Sequence, residues 1–217
     1  MFERFTKDAR AVVKGAVEHA EGEGADSVDD GHMLLALLDR EATRASFALT
    51  SLGATRRRDS IESALGEARR RGGLSQADTE ALAGLGIDVS EIVSRVEEAH
   101  GAGALAGGRG RASGRGWSGR RPFTREAKDT LEKSLRIATA RRDRHIGDEH
   151  ILFALTVRPG SVSEVLADHG VTHESVERIL YGTGATGGGP RGDDGGGSSP
   201  DSGAGPGTGP GPSPGAE

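Results

Sequence analysis

Two histidines, an aspartate and a glutamate lie within six residues at the start of the segment "HIGDEHILFAL" (145–155), directly before an apolar run. These side-chain types can bind metal ions or transfer protons. A zinc site needs three or four converging ligands, commonly with a histidine pair at helical spacing. His145 and His150 are five residues apart, which fits no helix-borne metal motif. The spacing therefore favours a structural role for this segment.

A related segment, "SVDDGH" (27–32), lacks the first histidine and the glutamate. Asp30 and Asp148 each fall directly before a helical apolar run, where a short carboxylate can accept hydrogen bonds from the exposed N–H groups of the first turn. We therefore predict that Asp30 and Asp148 are helix N-caps. His32 and His150 are expected to pack and form hydrogen bonds beside these caps.

The residue patterns do not predict an enzyme. The chain has no cysteine, which excludes thiol nucleophiles, disulfides and cysteine metal sites. It contains neither the G-x-S-x-G motif of a serine nucleophile nor the G-x-x-x-x-G-K-[ST] motif of a phosphate-binding loop. We therefore predict no catalytic residues, no metal ion and no cofactor.

Glycine separates the chain into regions, since eight of the 36 glycines lie in residues 101–121 and 14 in residues 183–217. The first region is predicted to be a flexible linker and the second a disordered tail, because neither has enough apolar residues to bury. The linker carries five arginines and Trp117, which could pair with phosphates and stack on bases. The alternative is a solubilising spacer, and the chain's net charge of −5 opposes general nucleic-acid affinity.

An internal repeat organises the remaining residues. Aligning residues 5–38 with residues 123–156 gives nine identities, and "SLGAT" (51–55) corresponds to "DHGVT" (168–172). Apolar residues recur at helical spacing in both copies, whereas no run shows the alternation of a strand. The fold is therefore predicted to be all-α.

Extra helices and boundary signals lie around the two copies. Residues 56–71 read as an amphipathic helix, and "LGID" (85–88) precedes another; either helix could close the first copy. "SVSE" (161–164) has the pattern of a capping box, and Gly53 and Gly170 lie where helix C-caps are expected.

The N-terminus "MFERFTKDAR" is charged, and no stretch approaches the length of about 18 apolar residues that a membrane span requires. These features predict a cytoplasmic protein without membrane contact.

The segments "MFERFTKDARAVV", "DGHMLLALL", "PFTREAKDTLEKSLRIA", "HIGDEHILFAL" and "HGVTHESVERIL" resemble the paired repeats of the Clp N-terminal (Clp repeat) domain family. This helical module stands at the front of ClpA- and ClpC-type AAA+ unfoldases. The resemblance covers about residues 1–53 and 122–181. "LGIDVSEIVSRVEE" (85–98) is similar to the last helix of the family's first repeat.

The resemblance implies two pseudo-symmetric four-helix repeats. The first would be residues 1–100 with a helical insertion, followed by the linker 101–121, the second repeat 122–182 and the tail 183–217. It further implies a free-standing, monomeric module without ATPase or protease. Such a module would bind a Clp ATPase, adaptors, or substrate proteins and peptides, as an adaptor or a sequestering decoy. The alternative is a scaffold or regulator that contacts nucleic acid through the linker.

The resemblance also implies ligand-binding residues. In the ClpC branch each repeat can hold a phosphorylated arginine, with the threonine of the "FT" step near the phosphate and the glutamate of the "EHIL" step on the guanidinium. Thr124 and Glu149 match in the second copy. In the first copy Thr6 matches, but Gly31 replaces the glutamate, and only a neighbouring aspartate could partly substitute.

A second family site lies on the seam between the repeats and receives cyclic peptides. The matching positions are Phe2, Arg10, Phe123, Lys128 and Glu132. Two neighbouring positions, usually valine and glutamine, are Lys14 and Val17, which changes the shape of the expected pocket. The alternative for Phe2 and Phe123 is that they are core residues at helix starts.

Overall fold

The helices follow the apolar periodicity of the sequence. The computed structural model describes residues 2–101, 103–105 and 121–182; the predicted tail and most of the predicted linker, including Trp117, lie outside the described residues. Its α-helices are α1 (Lys7–Gly22), α2 (Asp30–Leu38), α3 (Arg44–Ser51), α4 (Arg58–Arg70), α5 (Gln76–Gly84), α6 (Val89–His100), α7 (Arg125–Ala140), α8 (Asp148–Val157), α9 (Ser161–Asp168) and α10 (His173–Tyr181). The described ranges contain no strand, and the all-α prediction is confirmed.

The two most apolar helices, α2 and α8, form the centre of the core. Eight residues of each helix are buried, because "DGHMLLALL" and "DEHILFAL" are apolar almost all round. The amphipathic helix α1 packs on α2, and α7 packs on α8. Gly15 permits the close approach of α1, since a Cβ atom there would lie 3.1 Å from the Cβ of Ala36.

Two short backbone crossings join the N-terminal half (α1–α6) to the C-terminal half (α7–α10). Phe5, directly before α1, forms a parallel bridge with Ile146, directly before α8. Phe123, directly before α7, forms the corresponding bridge with Val28, directly before α2. Thus the start of each half's first helix is hydrogen-bonded to the start of the other half's central helix.

The bridges are made by four backbone hydrogen bonds of ordinary length. Thr6 N donates to Ile146 O at 2.9 Å, and Ile146 N donates to Arg4 O at 2.8 Å. On the other side, Val28 N donates to Pro122 O at 2.8 Å and Thr124 N to Val28 O at 2.9 Å. Two of the four donors, Thr6 N and Thr124 N, belong to N-cap residues, whose N–H groups have no partner within the helix.

Helix α4 packs on α9, and α10 packs on α3. The last helix of each copy therefore packs on the third helix of the other copy. By this criterion α4 is the equivalent of α10. This arrangement favours α4, rather than the helix after residues 85–88, as the one that closes the first copy. Helix α5 had no signal in the sequence; it forms a hairpin with α6.

Three helix starts differ by one residue from the sequence prediction. The N-caps are Asp29, Gly147 and Gly160, so Asp30, Asp148 and Ser161 are the first residues of their helices. The predictions for Asp30 and Asp148 were wrong because these two carboxylates make tertiary contacts instead, as described below. The predicted capping box at residues 161–164 is also wrong, since Gly160 has no side chain that could cap α9.

Gly53 and Gly170 end α3 and α9 in the left-handed region, with φ of +75° and +78°. This confirms their predicted place at helix C-termini, where a residue without Cβ is favoured.

Replacing Gly53 with alanine should lower the free energy of unfolding by about 1 kcal/mol, because an L side chain is strained at positive φ. The matched control is Gly66→Ala within α4, where a Cβ atom would meet nothing within 4 Å. That change should raise stability by about 0.5–1 kcal/mol through helix propensity. Urea unfolding followed by circular dichroism measures both; equal signs for the two variants would contradict this account.

Candidate functional site

A cavity of about 380 Å³ lies where the N-terminal ends of α1, α3 and α8 meet. We call it the α8 cavity. Among the side chains and backbone that line it are Thr6, Thr43, Arg44, His145, Asp148 and Glu149. The crossing between Thr6 and Ile146 brings α1 to this place, so both halves of the chain build the cavity. Converging helix N-termini give it partial positive charge that favours anions.

Glu149 places a buried carboxylate in the α8 cavity. Nη1 of Arg44 donates a hydrogen bond to Oε1 of Glu149 at 2.9 Å. The carboxylate lies against the backbone of Gly147, where a Cβ atom would be only 1.9 Å from Oε2. Burial raises the pKa of Glu149, while a backbone hydrogen bond and the charge of Arg44 oppose the rise. The glycine is therefore required for the carboxylate to lie at the start of α8.

Asp148 and His150 hold the surrounding backbone. Oδ2 of Asp148 accepts a hydrogen bond from Ala45 N at 3.2 Å, so this buried aspartate caps α3 rather than its own helix. Nδ1 of His150 accepts from Gly147 N at 2.9 Å, which leaves Nε2 to donate to Asp143, 3.0 Å away. His32 likewise accepts from Asp29 N at 3.0 Å. The structural role predicted for both histidines is confirmed.

Arg44 was not recognised from the sequence. Besides its ion pair with Glu149, its guanidinium lies 5.1 Å from the centre of the Tyr181 ring. Tyr181 in turn stacks on Phe153 and is covered by Arg141 at 3.7 Å. One signal existed: a basic residue in the first turn of a helix opposes the helix dipole, which indicates that a tertiary partner holds Arg44 there.

The equivalent place in the other half is a cavity of about 290 Å³ at the N-terminal end of α2. We call it the α2 cavity. Its lining includes Asp29, Asp30, Gly31, Arg69, Thr124 and Arg158. Arg69, from α4, binds both oxygens of Asp29, with Nε–Oδ2 and Nη2–Oδ1 distances of 2.9 and 3.2 Å. A Cβ atom on Gly31 would lie 2.9 Å from Nη2 of Arg69, so the guanidinium crowds the position that corresponds to Glu149.

The two neighbouring aspartates of the α2 cavity have opposite pKa shifts. Although burial raises the pKa of Asp29, hydrogen bonds from His32 and Arg69 hold it well below its usual range. Burial raises the pKa of Asp30 to about 6, and the nearby Thr130 hydroxyl and Arg158 guanidinium offset only part of this cost. Nη1 of Arg158 is 2.9 Å from Oδ2 of Asp30.

Comparison with known proteins gives a family match over part of the chain. Residues 122–204 match the family model described as the Clp repeat (R) N-terminal domain. This match includes the second copy of the internal repeat, from α7 to α10. Domains of this family are protein-interaction modules of Clp and Hsp100 unfoldases, without catalytic activity of their own.

Solved structures of Clp N-terminal domains are among those similar to this chain. The N-terminal domain of the caseinolytic protease associated chaperone ClpD from Arabidopsis thaliana is 20% identical, with a TM-score of 0.46 over 83% of this chain and 94% of that chain. The Hsp104 N-terminal domain from Candida albicans is 18% identical, with a TM-score of 0.42 over 82% and 89%. A structure from a malarial protein secretion system is 13% identical, with a TM-score of 0.46 over 82% and 92%.

The sequence resemblance predicts that the threonine and the glutamate of one copy form one Clp-type ligand site. In the structure each cavity combines residues of both copies. The structure brings Thr6, from the first copy, to Glu149 in the α8 cavity, and Thr124, from the second copy, to Gly31 in the α2 cavity. Thr124 and Glu149 therefore line different cavities. Both threonine hydroxyls cap their helices, accepting from Ala9 N and Ala127 N at 3.1 Å.

The residues predicted for the Clp inter-repeat seam occupy the starts and outer faces of α1 and α7. Phe123 is partly buried and packs against the core, as its structural alternative predicts. Arg10, Lys128 and Glu132 are exposed, and Glu132 pairs with Arg136. The side chain of Phe2 lies outside the described part of the structure. The seam site stays a prediction.

Metal sites and membrane-spanning helices are both absent from the residues that the structure describes. Within residues 2–101, 103–105 and 121–182, no three histidine, aspartate or glutamate side chains are arranged to hold a metal ion. None of the helices described combines the length and the apolar character needed to cross a membrane.

The raised pKa of Asp30 predicts a pH-dependent stability. Because its folded pKa of about 6 exceeds its ordinary value of 3.8, the folded state binds this proton more tightly, and stability falls as pH rises from about 4 to about 6. Asp30→Asn should remove this pH dependence. Between pH 4 and pH 7 the free energy of unfolding of the variant should therefore rise by on the order of 2 kcal/mol relative to that of the wild type. Urea unfolding across this range measures it.

The exposed Asp168 supplies the control, since Asp168→Asn should parallel the wild-type curve. Parallel curves for Asp30→Asn and wild type would contradict the assigned shift.

Proposed function

We propose that this protein is a peptide-recognition module of the Clp system whose α8 cavity binds a phosphorylated arginine of substrates, adaptors or peptides. The observation that carries the proposal is the ion pair between Glu149 and Arg44. This ion pair supports the proposal, because the carboxylate accepts a guanidinium of the chain itself at a place where three helix N-termini meet. Delivery to a Clp ATPase would make the protein an adaptor, and retention would make it a decoy.

A phosphorylated arginine carries a guanidinium and a phosphate joined to each other, and the α8 cavity offers a partner for each. The carboxylate of Glu149 suits the guanidinium, because a carboxylate accepts N–H donors in a bidentate manner. The helix N-termini, together with Arg144 and His145 in the lining, favour the phosphate, whereas Asp8 and Asp143 in the same lining oppose it. Thr6 lies at the same place through the backbone crossing to Ile146.

Arg44 would have to leave Glu149 when a ligand enters. Its side chain is 51% exposed, whereas that of Glu149 is 7% exposed, so the arginine can turn into solvent while the carboxylate stays in place. Because a buried carboxylate without a partner is costly, Arg44 would leave as the guanidinium of the ligand takes its place. Exchange of one guanidinium for another is therefore within reach of ligand binding.

The α2 cavity is a poor counterpart for this ligand. Arg69 is only 19% exposed, binds Asp29 through two nitrogens and also pairs with Glu23. Its guanidinium crowds Gly31, which supplies no carboxylate. We infer one arginine-phosphate site per chain, at the α8 cavity.

Calorimetric titration tests the proposal with an arginine-phosphate peptide, its unphosphorylated twin and a cyclic-peptide ligand of the family. We expect the phosphopeptide to bind at one site and Glu149→Gln to weaken it at least tenfold, because the charge that pairs with the guanidinium is lost. Glu132→Gln, on the predicted seam, should leave this binding unchanged. Equal binding of the two linear peptides would refute recognition of the phosphate, and binding of only the cyclic peptide would transfer the function to the seam.

The variant Arg44→Ala distinguishes two roles of Arg44: competition with the ligand for Glu149, and direct contact with the ligand. If Arg44 competes with the ligand, Arg44→Ala should tighten phosphopeptide binding several-fold, because the guanidinium that occupies Glu149 is gone. Arg136→Ala, which removes an exposed arginine of α7, should have no effect. Weaker binding to Arg44→Ala would instead show that Arg44 contacts the phosphate.

A further inference from the structure

The hairpin formed by α5 and α6 exposes apolar side chains around its connecting turn. Leu85 is 78% exposed, Ile92 47% and Ile87 39%. Together they are three of the five large apolar side chains that are most exposed in the described part of the chain. Single exposed apolar residues are ordinary, but neighbouring ones on one projection indicate a surface that binds a partner.

Hydrogen bonds at the base of the hairpin connect it to α4 and α9. Arg70 of α4 binds both carboxylate oxygens of Glu97 at 3.1 and 2.8 Å. Glu164 of α9 accepts a hydrogen bond from Gln76 N, at the start of α5, at 2.6 Å. Val89 and Val93 of α6 are buried but do not belong to the main core. The hairpin thus has its own small apolar contact and presents its turn away from it.

The hairpin is also strongly acidic. Residues 76–100 contain six acidic side chains and one arginine, a net charge of −5, which equals the net charge of the whole chain. The remaining residues are therefore balanced as a group. Asp88 and Glu91 directly adjoin Ile87 and Ile92 in the sequence, so negative charge borders the exposed apolar side chains.

We propose that the α5–α6 hairpin is a docking surface for a basic amphipathic helix of a partner protein. Apolar side chains of such a helix would cover Leu85, Ile87 and Ile92, and its lysines or arginines would face the acidic border. The charge of the hairpin disfavours the two other macromolecular classes that carry negative surfaces, nucleic acids and anionic lipid membranes.

This surface is separate from the α8 cavity, whose lining contains no residue of α5 or α6. Its proposed role does not depend on arginine-phosphate recognition. A partner docked on the hairpin would leave the α8 cavity open, so the protein could hold one protein by the hairpin while it binds a peptide in the cavity.

The test uses a fluorescent 18-residue amphipathic peptide of leucine and lysine, with the leucines at helical spacing, and a counterpart with glutamate in place of lysine. Fluorescence anisotropy with the full chain measures both affinities. We expect binding of the leucine–lysine peptide only, weakened at least tenfold in the double variant Leu85→Ser/Ile92→Ser. Val157→Ser, which changes a 39% exposed side chain on α8, is the matched control and should bind as wild type does.

Charge reversal provides the second arm, since Glu91→Lys/Glu98→Lys should also weaken binding of the leucine–lysine peptide. All substituted side chains are exposed, so circular dichroism should show unchanged folding. Equal binding of the peptide to wild type and to Leu85→Ser/Ile92→Ser would overturn the proposal. So would wild-type dimerisation that the double variant abolishes in sedimentation velocity, because the hairpin would then be covered by a second copy.

Discussion

The exchange of backbone hydrogen bonds between the two halves is the constraint on which the rest of the structure depends. The bridges Phe5–Ile146 and Val28–Phe123 fix where α1 meets α8 and where α7 meets α2. Each pairing places two helix N-termini side by side, although their dipoles repel. The capping side chains around them, and the arginine–carboxylate pairs, supply the charges that such an arrangement requires.

Most of the helices could be predicted from the sequence, because apolar spacing and the two copies of the motif gave independent support for the same elements. Helix α5 was missed since none of its residues is buried, and its sequence "QADTEALAG" carries no apolar stripe. The caps were misplaced by one residue at Asp30 and Asp148. Adjacent polar residues can all cap a helix, and only tertiary contacts, such as that of Asp148 with Ala45 N, decide which one does.

Which residues meet in each cavity could not be predicted from the sequence, for a related reason. Glu149 and Thr6 could be selected by resemblance, but their meeting in one cavity depends on the crossing of the halves. Symmetry between the copies cannot reveal it, because pairing within a copy and pairing between copies satisfy the same alignment. Arg44 and Arg69 come from α3 and α4, which lie outside the aligned segments 5–38 and 123–156.

The crossing also bears on how the chain acquires its binding geometry. Thr6 and Ile146 are 140 positions apart. Formation of their bridge therefore closes a long loop, which costs conformational entropy. Individual helix pairs such as α1 with α2 involve only near neighbours in sequence and can form early. Both cavities should therefore appear together, late in folding, and a half-folded chain would have ordered helices yet no formed recognition site.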